Sequence, residues 1–249
     1  MQMRCFVPGI LAVATFVVAC SSSSTPVGGV TADGGDADGG TTEAGVSGGT
    51  MCTSARNQLL TPLAKASKGN VAIVSTSGDT KVVYVDASAG GVNGGASNPR
   101  IYVNLDTIKR VDVTDVQAFT SPDWDLALKR TTIYTNSGDA GIGIGGAVKL
   151  SKAFASVTMA DAANVKPESF FDDQCTAKTD PIGGPLSAFS DWYDYDQATN
   201  IPTPKPNTTF VVRGGTGKLF KVAITSYMGE ANGMMGSSTG YFLLNVAAL

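Results

Sequence analysis

The stretch from Trp124 to Val148 reads WDLALKRTTIYTNSGDAGIGIGGAV and combines the two patterns that decide the fold. From Trp124 to Thr135, apolar residues alternate with polar or small residues, which is typical of a half-buried β-strand. After Asn136, glycine dominates, and glycine permits positive φ angles and close approach of backbones. We therefore predict a tight, irregular turn that leads into another strand at Ala147.

Glycine-rich runs also bind phosphate, but that motif requires a strand before it and a helix after it. The residues that follow the run Gly141–Gly146 are rich in β-formers and predict a strand over Val148–Val157. We therefore interpret the glycine run as a turn and not as a nucleotide site.

Short β-forming runs separated by turn residues occur on both sides of this stretch. Upstream, they predict a short helix within Thr53–Lys68 that Pro62 interrupts, and strands over Val71–Thr76, Lys81–Asp86, Arg100–Asn104 and Val111–Phe119. Downstream, they first predict a helical turn at Ala160–Val165, a long loop over Lys166–Ser190, an acidic-aromatic strand at Trp192–Tyr195 and a proline-rich turn at Pro202–Pro206. The last part of the chain is predicted to form a hairpin of Thr209–Arg213 with Lys218–Tyr227, a flexible loop over Met228–Ser238, and a strand at Tyr241–Val246 that closes the sheet.

The composition agrees with this pattern. Thirty glycines among 249 residues, together with many β-branched residues and tyrosines, favour strands over helices. We predict an all-β, antiparallel, hairpin-rich single domain with long loops and at most short helices.

The N-terminus has the features of a bacterial lipoprotein signal. Arg4 precedes an apolar run that is too short to span a membrane, and the run ends in Val-Val-Ala-Cys, which looks like a lipobox. Residues 1–19 are thus predicted to be a signal peptide, and Cys20 the lipidated first residue. Ser21 and Ser22 favour sorting to the outer membrane, at the cell surface or the periplasmic face. Ordinary secretion with cleavage after a small residue is the alternative.

Residues 20–50 carry almost no large apolar side chain, so they cannot offset the entropy of ordering and predict a disordered tether. Closely spaced aspartates are also typical of a calcium-binding loop, and this segment contains Asp33, Asp36 and Asp38. The glutamate that ends an EF-hand-type loop is missing, however. Residues 51–249 form the predicted domain. Once Cys20 is lipidated, Cys52 and Cys175 remain in that domain, and in an oxidising envelope compartment a disulfide is favoured over a metal site or a nucleophile.

Three short runs stand out in the opening stretch: W-D-L-A-L-K-R from Trp124, T-N-S-G from Thr135, and G-G-A-V ending at Val148. Further matching segments lie downstream at Trp192–Tyr195, Thr209–Arg213, Gly217–Tyr227 and Tyr241–Leu243. Together they resemble the HmuY-like family, whose best-known members are β-rich outer-membrane lipoproteins that capture haem. The resemblance covers about the last half of the chain.

Haem is the ligand that this resemblance implies, but the chain contains no histidine. The well-known family member holds haem between two histidines. One of them lies five residues after the tryptophan, where this chain has Gln197, and the other lies in a segment that is shorter here. That histidine pair therefore cannot bind haem in this protein.

The resemblance also implies methionine as a ligand, since other family members use it, and thioether sulfur is a sound ligand for haem iron. We predict that haem or a related porphyrin is held through Met228, Met234, Met235 and Tyr195. Core filling is the alternative role for Met228 and for Met159, and Tyr193 and Tyr227 are further phenolate candidates. Arg130 or Lys129 would pair with propionates, although both also suit an ordinary strand surface.

The lack of histidine removes the common hydrolase machineries, so we predict a binding protein and not an enzyme. A carboxylate pair for glycoside chemistry is the remaining catalytic option, with five candidates: Asp172, Asp173, Asp191, Asp194 and Asp196. The net charge of −3 gives no sign of a nucleic-acid partner. Expected partners are the membrane, haem, a haem-carrying protein or an outer-membrane transporter. The rival functions are a non-catalytic envelope interaction lipoprotein without a haem site and a glycan-contacting protein.

Overall fold

The computed structural model describes residues 52–249 of the chain. The predicted signal peptide, the lipidation site at Cys20 and the predicted tether lie outside the described residues.

The described chain contains strands, short α-helices and short 3₁₀ segments. In chain order they are α1 (Thr53–Leu60), β1 (Val71–Ser77), β2 (Thr80–Asp86), α2 (Gly91–Gly94), β3 (Ile101–Asn104), β4 (Lys109–Val111), α3 (Asp115–Ala118), β5 (Leu126–Lys129), β6 (Thr132–Thr135), β7 (Gly146–Ser151), β8 (Tyr193–Asp196), β9 (Ile201–Pro204), β10 (Thr208–Arg213), β11 (Leu219–Ser226) and β12 (Tyr241–Ala248). The 3₁₀ segments are Gly95–Ser97, Gly138–Ala140, Phe154–Ser156 and Met159–Asn164.

The strands form three antiparallel sheets. The largest has six strands in the order β1-β2-β12-β11-β10-β7, the second has four in the order β4-β3-β5-β6, and β8 pairs with β9 alone. No helix in the described range exceeds the eight residues of α1. The predicted all-β, antiparallel, hairpin-rich fold with short helices is confirmed.

Side chains from the two larger sheets share one hydrophobic core. Alternate residues of the four-stranded sheet, such as Ile101 with Val103 and Leu126 with Leu128, belong to the same buried cluster as alternate residues of β2, β10, β11 and β12. This is the period-two pattern of strands that turn one face inward. Burial of these aliphatic and aromatic side chains, at about 25 cal/mol per Å² of apolar surface, is the main stabilisation of the fold.

The prediction of one half-buried strand from Trp124 to Thr135 is wrong in two respects. The segment forms a hairpin of β5 and β6, and the turn between them places Arg130 at a φ of 52°. The strand is also buried on both faces, because a second cluster, containing Ala127, Tyr134 and Trp124, covers the outer face of the sheet. The alternation of residue types in the sequence does not report this second layer.

Four other predicted elements need correction. The strand predicted over Val111–Phe119 ends at Val111, because Thr114 and Gln117 form a capping box that starts α3. The strand predicted over Val148–Val157 ends at Ser151 and is followed by the 3₁₀ segment Phe154–Ser156.

The proline-rich turn is instead strand β9, in which Pro202 lies opposite Tyr195 and Pro204 opposite Tyr193. Proline is tolerated there because a two-stranded sheet consists of edge strands. The last strand, β12, lies inside the six-stranded sheet between β2 and β11 and does not close its edge.

The cysteines that the sequence left for a disulfide are joined in the structure. Cys52 and Cys175 lie 123 residues apart in sequence, and the bond fastens the start of α1 to the turn around Asp172. In the chain-entropy model, closing so long a loop lowers the entropy of the unfolded chain and so raises the free energy of unfolding by roughly 4 to 5 kcal/mol.

Two buried polar side chains hold the glycine turn in place. Asn136 Nδ2 donates to the carbonyl oxygens of Ser121 and Trp124 at 2.8 and 3.0 Å, and its Oδ1 accepts from Gly143 N at 3.0 Å. A Cβ on Gly143 would lie 2.6 Å from the carbonyl oxygen of Asn136, so the close approach requires glycine here.

Asp125 makes the matching connection to the β10–β11 turn. Its Oδ1 accepts from Gly215 N at 2.8 Å, and its Oδ2 accepts from Leu105 N at 2.6 Å. The amide of Ile144, in the glycine turn, also donates to the carbonyl of Gly215 at 3.0 Å. The four-stranded sheet, the glycine turn and the six-stranded sheet are thereby tied together by hydrogen bonds.

Replacing Asn136 by alanine is expected to lower the free energy of unfolding by about 2 to 4 kcal/mol, because buried carbonyl and amide groups lose their partners. Urea denaturation of the purified protein measures this. Asn57→Ala, on the exposed side of α1, is the matched control and should change stability by less than about 0.5 kcal/mol. Equal midpoints for the two variants would contradict the role assigned to Asn136.

Candidate functional site

The structure contains a pocket of about 710 Å³, which falls in the range of about 300 to 1,000 Å³ typical of small-molecule sites. We call it the tyrosine pocket. Its lining residues are Val92, Arg130, Thr131, Asp180, Pro181, Ile182, Ser190, Asp191, Tyr193, Tyr195, Asn200, Pro202, Tyr227 and Thr239.

The β8–β9 hairpin and a buried tryptophan position the aromatic wall. Tyr193 and Tyr195 are two apart on β8, so their side chains leave the strand on the same face. Trp192 is 1% exposed, and its ring lies 4.6 Å from that of Tyr193 and 5.4 Å from that of Tyr227, measured between centroids. Its indole N–H donates to the carbonyl of Thr131 at 2.9 Å, which fixes this wall to the β5–β6 turn.

Tyr227 forms the inner part of the pocket and has an unusual hydroxyl. The side chain is 2% exposed, and its hydroxyl has no hydrogen-bond partner among the described residues. Burial raises the pKa of Tyr227 to about 12, although the nearby Arg130 opposes the rise. An unpartnered buried hydroxyl costs about 1 to 3 kcal/mol, so the pocket favours a ligand that presents an acceptor there.

Arg130 supplies the only cationic side chain among the residues that line the tyrosine pocket. Its Nη1 donates to the carbonyl of Thr239 at 2.9 Å and its Nη2 to the Thr239 hydroxyl at 3.1 Å. A guanidinium has five N–H donors, so donors remain for a ligand after these two bonds.

The two carboxylates of the pocket already have partners. Asp180 accepts the amides of Ile182 and Gly184 in its own turn, at 3.0 and 2.8 Å. Asp191 pairs with Lys149 and Lys205, and hydrogen bonds from both ammonium groups lower its pKa. The pocket therefore offers aromatic faces, a free hydroxyl and one guanidinium to a ligand.

Of the haem ligands predicted from sequence, Tyr195 lines this pocket and the methionines do not. Tyr195 is 51% exposed, and its hydroxyl donates to Asn200 Oδ1 at 2.9 Å. Met234 and Met235 are exposed in the 228–238 loop, where the Met235 sulfur accepts from the Ser226 hydroxyl at 3.2 Å. Met228, at the start of that loop, is partly buried. Ligation by methionine stays a prediction.

The pocket also contains residues that the sequence gave no reason to select. Val92 lies in the short glycine-rich helix α2, and Pro181 and Ile182 lie in a turn before Gly183. These segments are too short for a periodic pattern to mark a buried or ligand-facing side. Of the two cations weighed for a propionate, the structure places Arg130 in the lining and leaves Lys129 out of it.

The five carboxylates considered for glycoside chemistry are not gathered in one cavity. Asp172 and Asp173 line a separate pocket of about 530 Å³, whereas Asp191 lines the tyrosine pocket and is held by two lysines. Within residues 52–249, no group of three or more His, Cys, Asp or Glu side chains is arranged to hold a metal ion. The described helices also include none that is long and apolar enough to cross a bilayer.

The second pocket has a buried carboxyl group in its wall. Glu168 is 5% exposed, and its Oε1 accepts from the Thr135 amide at 2.8 Å and from the Thr135 hydroxyl at 2.9 Å. Burial raises the pKa of Glu168 from 4.5 to about 7, against these two hydrogen bonds. Glu168 thus accepts the hydrogen bond of the Thr135 amide at the end of β6, a structural role that requires no ligand.

The raised pKa of Glu168 predicts a pH-dependent stability. The folded state holds the proton up to about pH 7 and the unfolded state releases it near pH 4.5, so this stabilisation is complete below pH 4.5 and is lost as the pH rises through 7. Between pH 5 and 8 the wild type should lose about 2 to 3 kcal/mol more than Glu168→Gln. Urea denaturation at both pH values tests this, and parallel losses in the two proteins would refute it.

A family model described as HmuY protein matches residues 96–241, which is more than half of the chain. The chain belongs to the HmuY family. The matched residues include every residue that lines the tyrosine pocket except Val92. The family resemblance seen in the sequence is thereby confirmed, and the family is one of generally non-catalytic binding proteins.

Three solved structures are similar to this member of the HmuY family. A candidate lipoprotein from Bacteroides fragilis is 19% identical, with a TM-score of 0.42 over 72% of this chain and 94% of that one. A candidate HmuY-like haem-binding protein from Bacteroides vulgatus is 18% identical, with a TM-score of 0.41 over 72% and 96%. The apo form of a HmuY analogue from Tannerella forsythia is 17% identical, with a TM-score of 0.45 over 68% and 95%. The search of curated proteins found no match.

Proposed function

We propose that this HmuY-family protein is a lipid-anchored outer-membrane protein that captures haem or a related porphyrin in the tyrosine pocket. The observation that carries the proposal is a pocket of about 710 Å³ in which three tyrosines, Tyr193, Tyr195 and Tyr227, come together beside one arginine. Flat aromatic faces suit a planar ligand, and a guanidinium suits a propionate.

The residues that line the pocket fit a porphyrin although none of them is a histidine. Tyr195, an exposed tyrosine of the pocket lining, would hold haem iron through its phenolate oxygen. Met228, Met234 and Met235 are the soft-donor alternatives. Because Met234 and Met235 lie outside the lining, ligation by them requires the 228–238 loop to move toward the pocket.

The rival function is a non-catalytic envelope interaction lipoprotein that has kept the fold without binding haem. Two observations favour it: Gln197 stands in the position of a histidine ligand, and the lining of the tyrosine pocket includes no methionine. In that case the partner is another protein, such as a haem carrier or an outer-membrane transporter. Contact with glycans is a weaker option, supported by the exposed Tyr195 ring.

A hemin titration of the purified protein tests the proposal. We expect a saturable one-to-one change in the Soret band, with affinity reduced about tenfold or more in the variant that removes the iron ligand, equivalent to about 1.4 kcal/mol or more. Tyr195→Phe and the double variant Met234→Ala/Met235→Ala identify which group it is, and Tyr241→Phe and Met159→Ala are matched controls outside the pocket lining. A flat or non-saturable response in the wild type would favour the rival function.

The anchor is tested separately at Cys20. We expect Cys20→Ser to move the protein from the membrane to the soluble fraction and to lower its mass by that of the attached lipid, since several buried acyl chains give stable anchoring. Unchanged fractionation and unchanged mass would exclude a lipid on Cys20.

A further inference from the structure

We propose that the Tyr227 hydroxyl and the Arg130 guanidinium bind a carboxylate of the ligand at the inner end of the tyrosine pocket, so that recognition does not depend on a metal ion. This inference rests on the proposed function and makes it more specific. The ligand class is an aromatic macrocycle or comparable planar molecule that carries carboxylate groups, with or without iron.

The Tyr227 ring cannot turn away to find a partner for its hydroxyl. It packs against Trp192 and against Phe242, whose ring centroids lie 5.4 and 5.1 Å away. The backbone carbonyl oxygen of Tyr227 accepts hydrogen bonds from the amides of Gly240 and Tyr241, both at 3.1 Å. With ring and backbone both held, the hydroxyl has no partner among the described residues, and the tyrosine pocket is the cavity that Tyr227 lines.

The hydroxyl at this position is a hydrogen-bond donor at neutral pH. Because burial raises the pKa of Tyr227 to about 12, the side chain stays protonated and presents O–H. A protonated phenol needs an acceptor oxygen more than it needs a cation. The inner end of the pocket is therefore suited to a carboxylate, whereas Tyr195 at the mouth is the tyrosine placed for a metal.

Arg130 stands beside this donor and is itself fixed. Its guanidinium carbon lies 5.9 Å from the centre of the Tyr227 ring, its side chain is bound to Thr239, and its amide donates to the carbonyl of Ala87 at 2.7 Å. The remaining guanidinium donors make charge-assisted bonds to a carboxylate without moving the chain. The pocket's carboxylates do not neutralise Arg130, since Asp180 is held by its turn and Asp191 by two lysines.

Three porphyrins separate iron from carboxylate recognition: hemin, metal-free protoporphyrin IX, and its dimethyl ester, which lacks free carboxylates. Their affinities for the full chain in detergent micelles are measured by quenching of tryptophan fluorescence. We expect protoporphyrin IX to bind the wild type about as tightly as hemin binds a variant without the iron ligand, because both pairs lack the iron bond. The dimethyl ester should bind about tenfold more weakly than protoporphyrin IX, the difference that about 1.4 kcal/mol produces.

Tyr227→Phe removes one oxygen atom and keeps the ring. We expect it to weaken protoporphyrin IX about threefold and to leave the dimethyl ester nearly unchanged, so that the preference for the free acid shrinks to the part that Arg130 supplies. Without ligand, this variant should melt no lower than the wild type, because the lost hydroxyl has no partner there. Tyr241→Phe, whose ring stacks on Tyr84 outside the pocket lining, is the matched control and should retain the preference for the free acid.

The outcomes distinguish the two proposals. Wild-type protein that binds no porphyrin overturns the proposed function and this inference together. Binding of hemin but not of protoporphyrin IX keeps the proposed function and overturns the inference, as does equal affinity of the wild type for protoporphyrin IX and its dimethyl ester. A Tyr227→Phe variant that keeps the full preference for the free acid also overturns it, with a water molecule as the partner of the hydroxyl.

Discussion

The hydrogen bonds of Asp125 and Asn136 are the constraint on which the rest of the structure depends. Both side chains are buried, and between them they bind the glycine turn, the β10–β11 turn and the loop before β4. Hydrogen bonds made in a low-dielectric interior are costly to lose, so these two residues hold the two large sheets in one fixed relation. Glycine is required at Gly141, Gly143 and Gly145 because a Cβ there would collide with Asn136.

This constraint explains why a short sequence motif is informative about the whole fold. A tryptophan and an aspartate just before β5, an asparagine just after β6 and the run of glycines that follows each supply one part of the same hydrogen-bonded connection. The arrangement leaves the β5–β6 turn free to carry Arg130 at a positive φ of 52° toward Thr239. The β5–β6 hairpin, which lies between Asp125 and Asn136, thus also positions Arg130, the only cation that lines the tyrosine pocket.

Much of the fold could be predicted because hairpins are local. The pair β10 and β11 was visible as two β-forming runs around Gly214–Gly217, and the structure pairs Phe210 with Val222 and Arg213 with Leu219 as that turn requires. The predictions were wrong where contacts between distant parts of the chain determine which face is buried or where a strand lies in its sheet. Burial of the outer face of β5 depends on Leu60 and Phe170, and the inner place of β12 depends on the β1–β2 hairpin.

The site was less predictable than the fold for the same reason. Residue chemistry selected Tyr195 and Arg130 from the sequence, since phenol and guanidinium groups suit a porphyrin. Nothing in the sequence indicated that the Tyr227 hydroxyl would be buried without a partner, because that depends on Trp192 and Phe242 packing around it. The position of the methionines likewise depends on the 228–238 loop, where Gly229 pairs with Met235.

The chain has two tryptophans, and they provide the most direct test of where the ligand binds. Trp192 contacts Tyr193 and Tyr227 of the tyrosine pocket, whereas Trp124 packs in the second core cluster and donates its indole N–H to the carbonyl of Ala118. In ¹⁵N-labelled protein, paramagnetic hemin should broaden or shift the indole signal of Trp192 and leave that of Trp124 unchanged. Equal effects on both signals, or an effect on Trp124 alone, would contradict binding in the tyrosine pocket.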